Sequence, residues 1–271
     1  MGFVTETLTY GDGQHTGMLV MPERGARPLP SVLVIQEAWG LDAHIEDVAR
    51  RFAQAGYAAL APDLYARGGV RPPPMTRERL AELQALMNAV PTFFADEKTR
   101  ATELARLEEG KRARISETFG VMFSAVRALD AHVPALLAAT RTLRDEHAAT
   151  RGQKVGSVGY CMGGGLSALL ACHDPELAVA CIYYGSSPPA ELVPRIACPV
   201  VGFYGGEDAR INPGIAPFAE AMSRAGKRFE SHVYPGAHHA FFNDNRPTYH
   251  VGASRDAFAR TLEALRVNLV G

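Results

Sequence analysis

Residues 158–165 read VGYCMGGG, closing the run KVGSVGY (154–160) of small and β-branched residues and opening onto the alanine- and leucine-rich LSALLACH (166–173). A strand that passes through Gly-x-nucleophile-x-Gly into a helix is a nucleophile elbow, whose sharp turn exposes the central side chain at the head of the helix. Serine is the usual occupant, and Cys161 takes that place here. A thiol there meets unpaired backbone N–H groups and the positive end of the helix dipole, both of which favour the thiolate. The competing reading of Cys161 is a small buried hydrophobe.

Outward from this turn, apolar β-rich runs recur at SVLVIQ (31–36), YAALAPD (57–63), AVACIYYG (178–185) and PVVGFYG (199–205), with helix-like segments between most of them. Continuous rather than alternating apolar strands are the mark of a mostly parallel sheet buried on both faces by crossover helices. VTETLTY (4–10) and GMLVMP (17–22), joined by GDGQHT, predict an antiparallel hairpin at the sheet edge. EDVARRFAQA (46–55) stops at Gly56, and a second helix runs from Pro213 to just before Gly226. SRDAFARTLEALRVNL (254–269) carries an apolar stripe and predicts an amphipathic closing helix. Between them, RGGVRPPP (67–74) must be loop, and TRERLAELQALMNAV, ADEKTRATELARLEEGKRARI and FGVMFSAVRALDAHVPALLAATRTL are strongly helical, with Pro134 a boundary or kink. The expected architecture is α/β: one domain over 1–271 with a helical insertion around 76–130 serving as a lid, a dimer contact or an elaborated crossover.

The 271 residues, 47% hydrophobic and 21% charged with a formal net charge of −1, provide a sizeable core and no basic surface for nucleic acid. The N-terminus lacks the basic start and apolar stretch of a signal peptide, and no apolar run approaches membrane-spanning length, so a cytoplasmic home is expected. The four cysteines form no C-x-x-C pair and have no histidine array suited to zinc, which predicts reduced thiols and no metal. Cys172, Cys181 and Cys198, each in an apolar segment, read as buried structural residues.

Two further loops answer the elbow. PVVGFYGGEDARINP (199–213) sets Asp208 just past a strand, where ligand-facing residues of an open α/β sheet gather, and ESHVYPGAHHAFF (230–242) offers His238 and His239 in the next such loop. Nucleophile, acid, histidine is the chain order of the α/β-hydrolases. Each member meets a chemical need: Cys161 attacks a carbonyl, a histidine manages the proton and stabilises the thiolate, and Asp208 orients the ring through its other nitrogen.

With VIQEAWGL (34–41), APDLYAR (61–67), VGYCMGG (158–164), YGGED (204–208) and PGAHHAF (235–241), the sequence resembles the dienelactone hydrolase family, also called carboxymethylenebutenolidases. The resemblance implies an α/β-hydrolase fold and hydrolysis of a lactone or small carboxylic ester through a cysteine thioacyl intermediate, with no cofactor. It implies that Glu37 contacts the resting nucleophile and takes its proton when substrate rearranges the site. In this fold the backbone N–H groups of Ala38 and Met162 supply the oxyanion hole. The family pattern of a histidine directly before a small residue and phenylalanine falls on His239. A small lactone or ester is the expected partner, without nucleic acid or membrane, for a monomer or homodimer.

The resemblance also has gaps. Family members hold the dienelactone carboxylate with arginines, one shortly after the histidine, where Asn243 stands here and Arg246 follows; asparagine cannot fork onto a carboxylate as arginine does. Arg77 or Arg79 is the candidate for the other. Trp39, Tyr65, Tyr160 and Phe241 flank the site in sequence and are candidates for an apolar pocket. Two rivals follow: a short-chain carboxylesterase without dienelactone activity, and a non-catalytic small-ligand-binding protein.

Overall fold

Alternation within the apolar runs sorts the core into two layers. Val32 and Val34 of β3 (Ser31–Ile35) point to one face of the sheet, Leu33 and Ile35 to the other, and all are fully buried. The computed structural model describes residues 2–25, 27–90, 92–94 and 96–270; Ala95, heading one predicted helix, lies outside them. Its single sheet has eight strands in the order β1-β2-β4-β3-β5-β6-β7-β8. These are β1 (Phe3–Tyr10), β2 (His15–Pro22), β3, β4 (Ala58–Pro62), β5 (Val155–Tyr160), β6 (Val179–Tyr183), β7 (Val200–Gly205) and β8 (Phe229–Tyr234). The β1–β2 hairpin and the β2–β4 pair are antiparallel, and every other pairing is parallel. This is the α/β-hydrolase architecture that the sequence implies.

Helices α1 (Ala43–Gln54) and α8 (Val251–Leu265) cover the Val32 face, burying Ile45, Val48, Phe52 and Ala257. Asp42 starts α1 by accepting the Ile45 N–H at 3.0 Å, satisfying one orphan donor of the first turn. The Leu33 face is covered by α5 (Val133–Arg141), α6 (Met162–His173) and α7 (Ile215–Arg224). Gly159 leaves β5 slim where α6 doubles back beneath it, and a buried Ser157–Ser167 hydrogen bond of 2.8 Å ties strand to helix.

The insertion lies on the same face. It comprises a short 3₁₀ turn at Pro73–Met75 and helices α2 (Arg77–Ala89), α3 (Glu97–Ala105) and α4 (Glu109–Arg127). Two predicted helices are broken. The run 95–115 stops at Ala105 and restarts at Glu109, because Leu104 and Leu107 both turn in against the core. The run 119–143 breaks at Leu129–His132, and Pro134 sits in the first turn of α5, where its missing N–H costs nothing. Tertiary packing overrides helix propensity at both places.

Arg79, a sequence candidate for substrate binding, instead clamps α2 to α4. Its Nε donates to Thr118 Oγ1 at 3.0 Å, and its Nη2 reaches the Arg114 carbonyl at 2.7 Å and Glu117 at 2.8 Å. Arg77 pairs with Glu46 of α1 at 2.7 Å, from an exposed position. Replacing Arg79 with Met strips these hydrogen bonds and is expected to cost about 1–2 kcal/mol. Thermal unfolding should show a Tm lower by roughly 2–4 °C per kcal/mol, with KM for ester substrates within twofold of wild type.

Candidate active site

The elbow forces Cys161 into a backbone that L-residues rarely adopt, φ 53° and ψ −111°, between the end of β5 and the start of α6. Three backbone hydrogen bonds hold it there. Its N–H donates to the Tyr183 carbonyl at 3.0 Å, and its own carbonyl accepts from Gly164 at 3.0 Å and Gly165 at 3.3 Å. The flanking glycines are sterically required: a Cβ on Gly159 would overlap the Gly163 carbonyl, and one on Gly163 would lie 2.5 Å from the Gln36 oxygen and nearer still to that of Ile35. The elbow is thereby pressed against the end of β3, which carries Glu37 and Ala38.

The partly exposed thiol faces His239. His239 Nε2 lies 3.2 Å from Cys161 Sγ, and its Nδ1 is 2.5 Å from Asp208 Oδ2. Asp208 follows β7 and is buried, and its other oxygen accepts the Ile211 N–H at 3.3 Å. The two loops approach closely because Gly205 has no side chain; a Cβ there would stand 2.6 Å from the Ala237 and His238 oxygens. His238 is exposed, and His239 is the histidine between acid and thiol.

Charge on the three groups is mutually reinforcing. Burial alone would lower the His239 pKa, but the Cys161 thiolate charge, the hydrogen bonds to Asp208 and Cys161 and the Asp208 charge outweigh it and lift it to about 9. Burial would raise the Asp208 carboxyl, yet the hydrogen bond and charge of His239, followed by the Arg210 charge, hold it below its usual value. The other thiols are different. Burial pushes Cys172 up to about 11 and Cys181 and Cys198 up to about 12, so all three stay neutral.

Among the described residues, the N–H of Met162, the first residue of α6, has no acceptor, and neither has that of Ala38. Tyr65, buried, links their loops: its hydroxyl donates to the Ala38 carbonyl at 2.8 Å and lies 3.7 Å from Met162 Sδ. Arg71 braces the same loop through Leu41 O at 3.1 Å while paired with Asp63 at 2.7 Å. Among the described residues no three His, Cys, Asp or Glu side chains converge as a metal site. No single helix among them is long and apolar enough to cross a membrane. A groove of about 700 Å³ opens at the opposite end of the sheet, beside Val200 and Phe229, where β7 and β8 begin. The reactive groups instead share the carboxyl ends of the strands, the usual ligand side of such a sheet.

A model of the dienelactone hydrolase family matches residues 16–269. The chain belongs to the dienelactone hydrolase family. A Saccharolobus solfataricus protein named "Putative carboxymethylenebutenolidase" is 34% identical over 265 residues, covering 92% of each chain. Among solved structures, a "Putative Dienelactone Hydrolase" from Klebsiella pneumoniae is similar with TM-score 0.63 and 27% identity, over 97% of this chain and 98% of that one. A dienelactone hydrolase-like promiscuous phosphotriesterase from metagenomic libraries shares the fold, with TM-score 0.68 and 21% identity over 99% and 100% of the two chains. The protein is thus a dienelactone hydrolase-like hydrolase.

Several of its residues sit differently from the sequence expectation. Glu37 is buried but makes no hydrogen bond to Cys161; Tyr184 Oη donates to its Oε1 at 3.0 Å and Asn243 Nδ2 to its Oε2 at 2.8 Å. Both carboxylate oxygens are satisfied away from the thiol, which pairs with His239 instead. Asn243 is therefore a buried anchor for Glu37. Tyr160 and Phe241 are fully buried and belong to the aromatic core with Tyr183 and Phe242. Arg77 and Arg79 are committed to the ion pairs described above. Tyr65 contacts Ala38 and Met162, and Trp39, next to Ala38 in the chain, lies beneath the Arg246 guanidinium at 5.4 Å from ring centroid. Sequence reasoning missed Tyr184, whose ring meets His239 edge-on at 5.2 Å. It read as the end of an apolar strand, and its φ of 40° has no sequence signature.

Tyr65→Phe removes the hydroxyl that fixes the Ala38 carbonyl and so loosens the loop that carries the Ala38 N–H. Because an oxyanion donor acts mainly in the transition state, kcat should fall about tenfold or more while KM changes little. Steady-state kinetics on a small ester checks this; an unchanged kcat would separate Tyr65 from the oxyanion loop.

Proposed function

We propose that this protein hydrolyses a lactone or small carboxylic ester, of dienelactone type, through a Cys161 thioacyl intermediate. The observation that carries the proposal is the unbroken chain Cys161 Sγ, His239, Asp208, with separations of 3.2 and 2.5 Å. The thiolate attacks the carbonyl carbon, forming the C–S bond, and the carbonyl electrons move onto oxygen facing the Ala38 and Met162 N–H groups. Collapse breaks the C–O bond as His239 Nε2 donates its proton to the leaving oxygen. Water then attacks the thioester with His239 as base, and sulfur departs as thiolate. Asp208 holds the ring and stabilises the imidazolium throughout. For a lactone the leaving group remains tethered, so prompt protonation by His239 prevents re-closure.

In this arrangement His239, rather than Glu37, exchanges the thiol proton. Glu37 is a buried structural group behind the site, held by Tyr184 and Asn243. A second reading, a short-chain carboxylesterase without dienelactone activity, is favoured by one observation: Asn243 is fully buried on Glu37, so the position that carries an arginine in dienelactone-cleaving relatives offers substrate no charge.

Hydrolysis of cis- and trans-dienelactone and of p-nitrophenyl acetate and butyrate, with wild type and Cys161→Ala side by side, tests both readings. Lactone turnover lost in Cys161→Ala supports the first, and ester turnover alone, similarly lost, supports the second; equal activity in both proteins would remove Cys161 from the chemistry. Mass spectrometry of protein quenched during p-nitrophenyl butyrate turnover should show a butyryl adduct at Cys161.

The pH profile follows from the raised His239. The imidazolium persists at neutral pH, so kcat/KM should hold through neutrality and fall as pH rises through about 9, where the leaving-group acid is lost. Asp208→Asn removes a charge that raises the His239 pKa. It should move this alkaline limb to lower pH and reduce kcat by about 10²–10⁴.

A further inference from the structure

Arg210, two residues after Asp208, has no assigned role, and its guanidinium lies against the catalytic imidazole. Its Nη2 is 3.5 Å from His239 Nδ1 and 3.4 Å from Nε2. Both in-plane directions of the ring are already taken, Nδ1 by Asp208 and Nε2 by Cys161. A nitrogen nearly equidistant from the two ring nitrogens at that range cannot lie in the ring plane without colliding with the carbon between them. Arg210 therefore sits over the face of the imidazole. Neither contact is a good hydrogen bond, since the ring offers no lone pair in that direction.

Among the described residues Arg210 makes no direct ion pair, although its charge helps hold the Asp208 carboxyl down. Arg210 is exposed, and among the described residues no carboxylate lies within ion-pairing distance of it. The groups that pair with the His239 ring, Asp208 at Nδ1 and Cys161 at Nε2, are engaged in the ring plane and do not face Arg210. The N–H groups of Arg210 remain open at the mouth of the site, in a geometry suited to a planar carboxylate.

The side of the site is also defined. His239 Nε2 delivers its proton to the leaving oxygen, whereas the acyl oxygen faces the Ala38 and Met162 N–H groups. A group stacked on His239 thus borders the leaving half of the substrate.

We propose that Arg210 is a specificity-determining residue, selecting esters and lactones whose leaving-group half carries an anionic group such as a carboxylate. The inference rests on the proposed function and extends it by naming the residue that meets the charge on the substrate. Arg210 occupies the position two after the acid, so the cation that Asn243 does not supply comes from a different loop.

The test compares 3-acetoxybenzoate, with its carboxylate on the leaving phenol, against its neutral methyl ester, using wild type, Arg210→Met and Arg210→Lys. Monophenyl succinate and its methyl ester place the charge on the acyl half. The readout is the ratio of kcat/KM for each anionic and neutral pair, which a general loss of activity leaves unmoved. Arg210→Met should lower the acetoxybenzoate ratio about tenfold, Arg210→Lys should retain part of it, and the succinate ratio should not change. In wild type the acetoxybenzoate ratio should fall as salt is raised, as expected for an exposed charge.

Equal losses on charged and neutral esters, with the alkaline limb displaced to higher pH by removal of a cation beside His239, would mean that Arg210 only tunes the imidazole and would overturn the proposal. So would a ratio that moves in Arg246→Met and not in Arg210→Met. Turnover of the neutral esters with an unmoved ratio overturns the Arg210 assignment alone. Failure of wild type on all four esters, or undiminished turnover by Cys161→Ala, overturns the thioacyl mechanism with it.

Discussion

A cysteine held at φ 53° is the constraint on which the rest of the site depends. Such a backbone costs an L-residue on the order of 1–3 kcal/mol, and it persists only where the surroundings over-determine it. Here β5 delivers the chain, Tyr183 accepts its N–H, α6 receives its carbonyl through Gly164 and Gly165, and side-chain-free positions at 159 and 163 let strand, turn and helix nest. The strain has a geometric return. It lifts the thiol out of the core onto the helix N-terminus, where one side meets His239 and another the unspent N–H of Met162. Relaxing the turn would bury the sulfur with the other three thiols, which burial keeps neutral.

Two buried carboxylates near the thiol are distinguished by their partners. Asp208 is bonded to a group that gains charge, so each stabilises the ionised form of the other. Glu37 is bonded to two neutral donors, Tyr184 and Asn243, and has no cationic partner. Both of its oxygens are satisfied by these donors, which hold the carboxyl group in place. The substitution of asparagine at 243 is part of this arrangement, because a short neutral amide reaches Glu37 and stays buried there.

Loops from the ends of β3, β4, β5, β6, β7 and β8 converge on the site, and several are held from outside it. Tyr65, after β4, fixes the Ala38 carbonyl; Arg71, at the root of the insertion, holds Leu41 O; Gly205 lets the Asp208 and His239 loops touch. The insertion therefore contributes through Arg71 and through the packing of α2–α4 on the Leu33 face, with Arg79 as its internal clamp. Its arginines at 77 and 79 are engaged with Glu46 and Glu117 and leave the substrate to other residues.

The sequence by itself determined the strand periodicity, the parallel sheet with its edge hairpin, the elbow around Cys161, and the order of Cys161, Asp208 and His239, because each is written in local spacing or turn chemistry. Continuous apolar runs can only be strands covered on both faces, and G-x-C-x-G between strand and helix has few other physical uses. Only the tertiary structure decided which arginines meet the site, that Tyr160 and Phe241 are core, that Glu37 answers to Tyr184 and Asn243, and that Arg210 lies over His239. Those facts depend on side chains far apart in the chain meeting across loops, where one residue of register or one rotamer redirects a charge. Local pattern carries no information about such meetings, since the same arginine at the same spacing serves as well for a helix clamp as for a substrate.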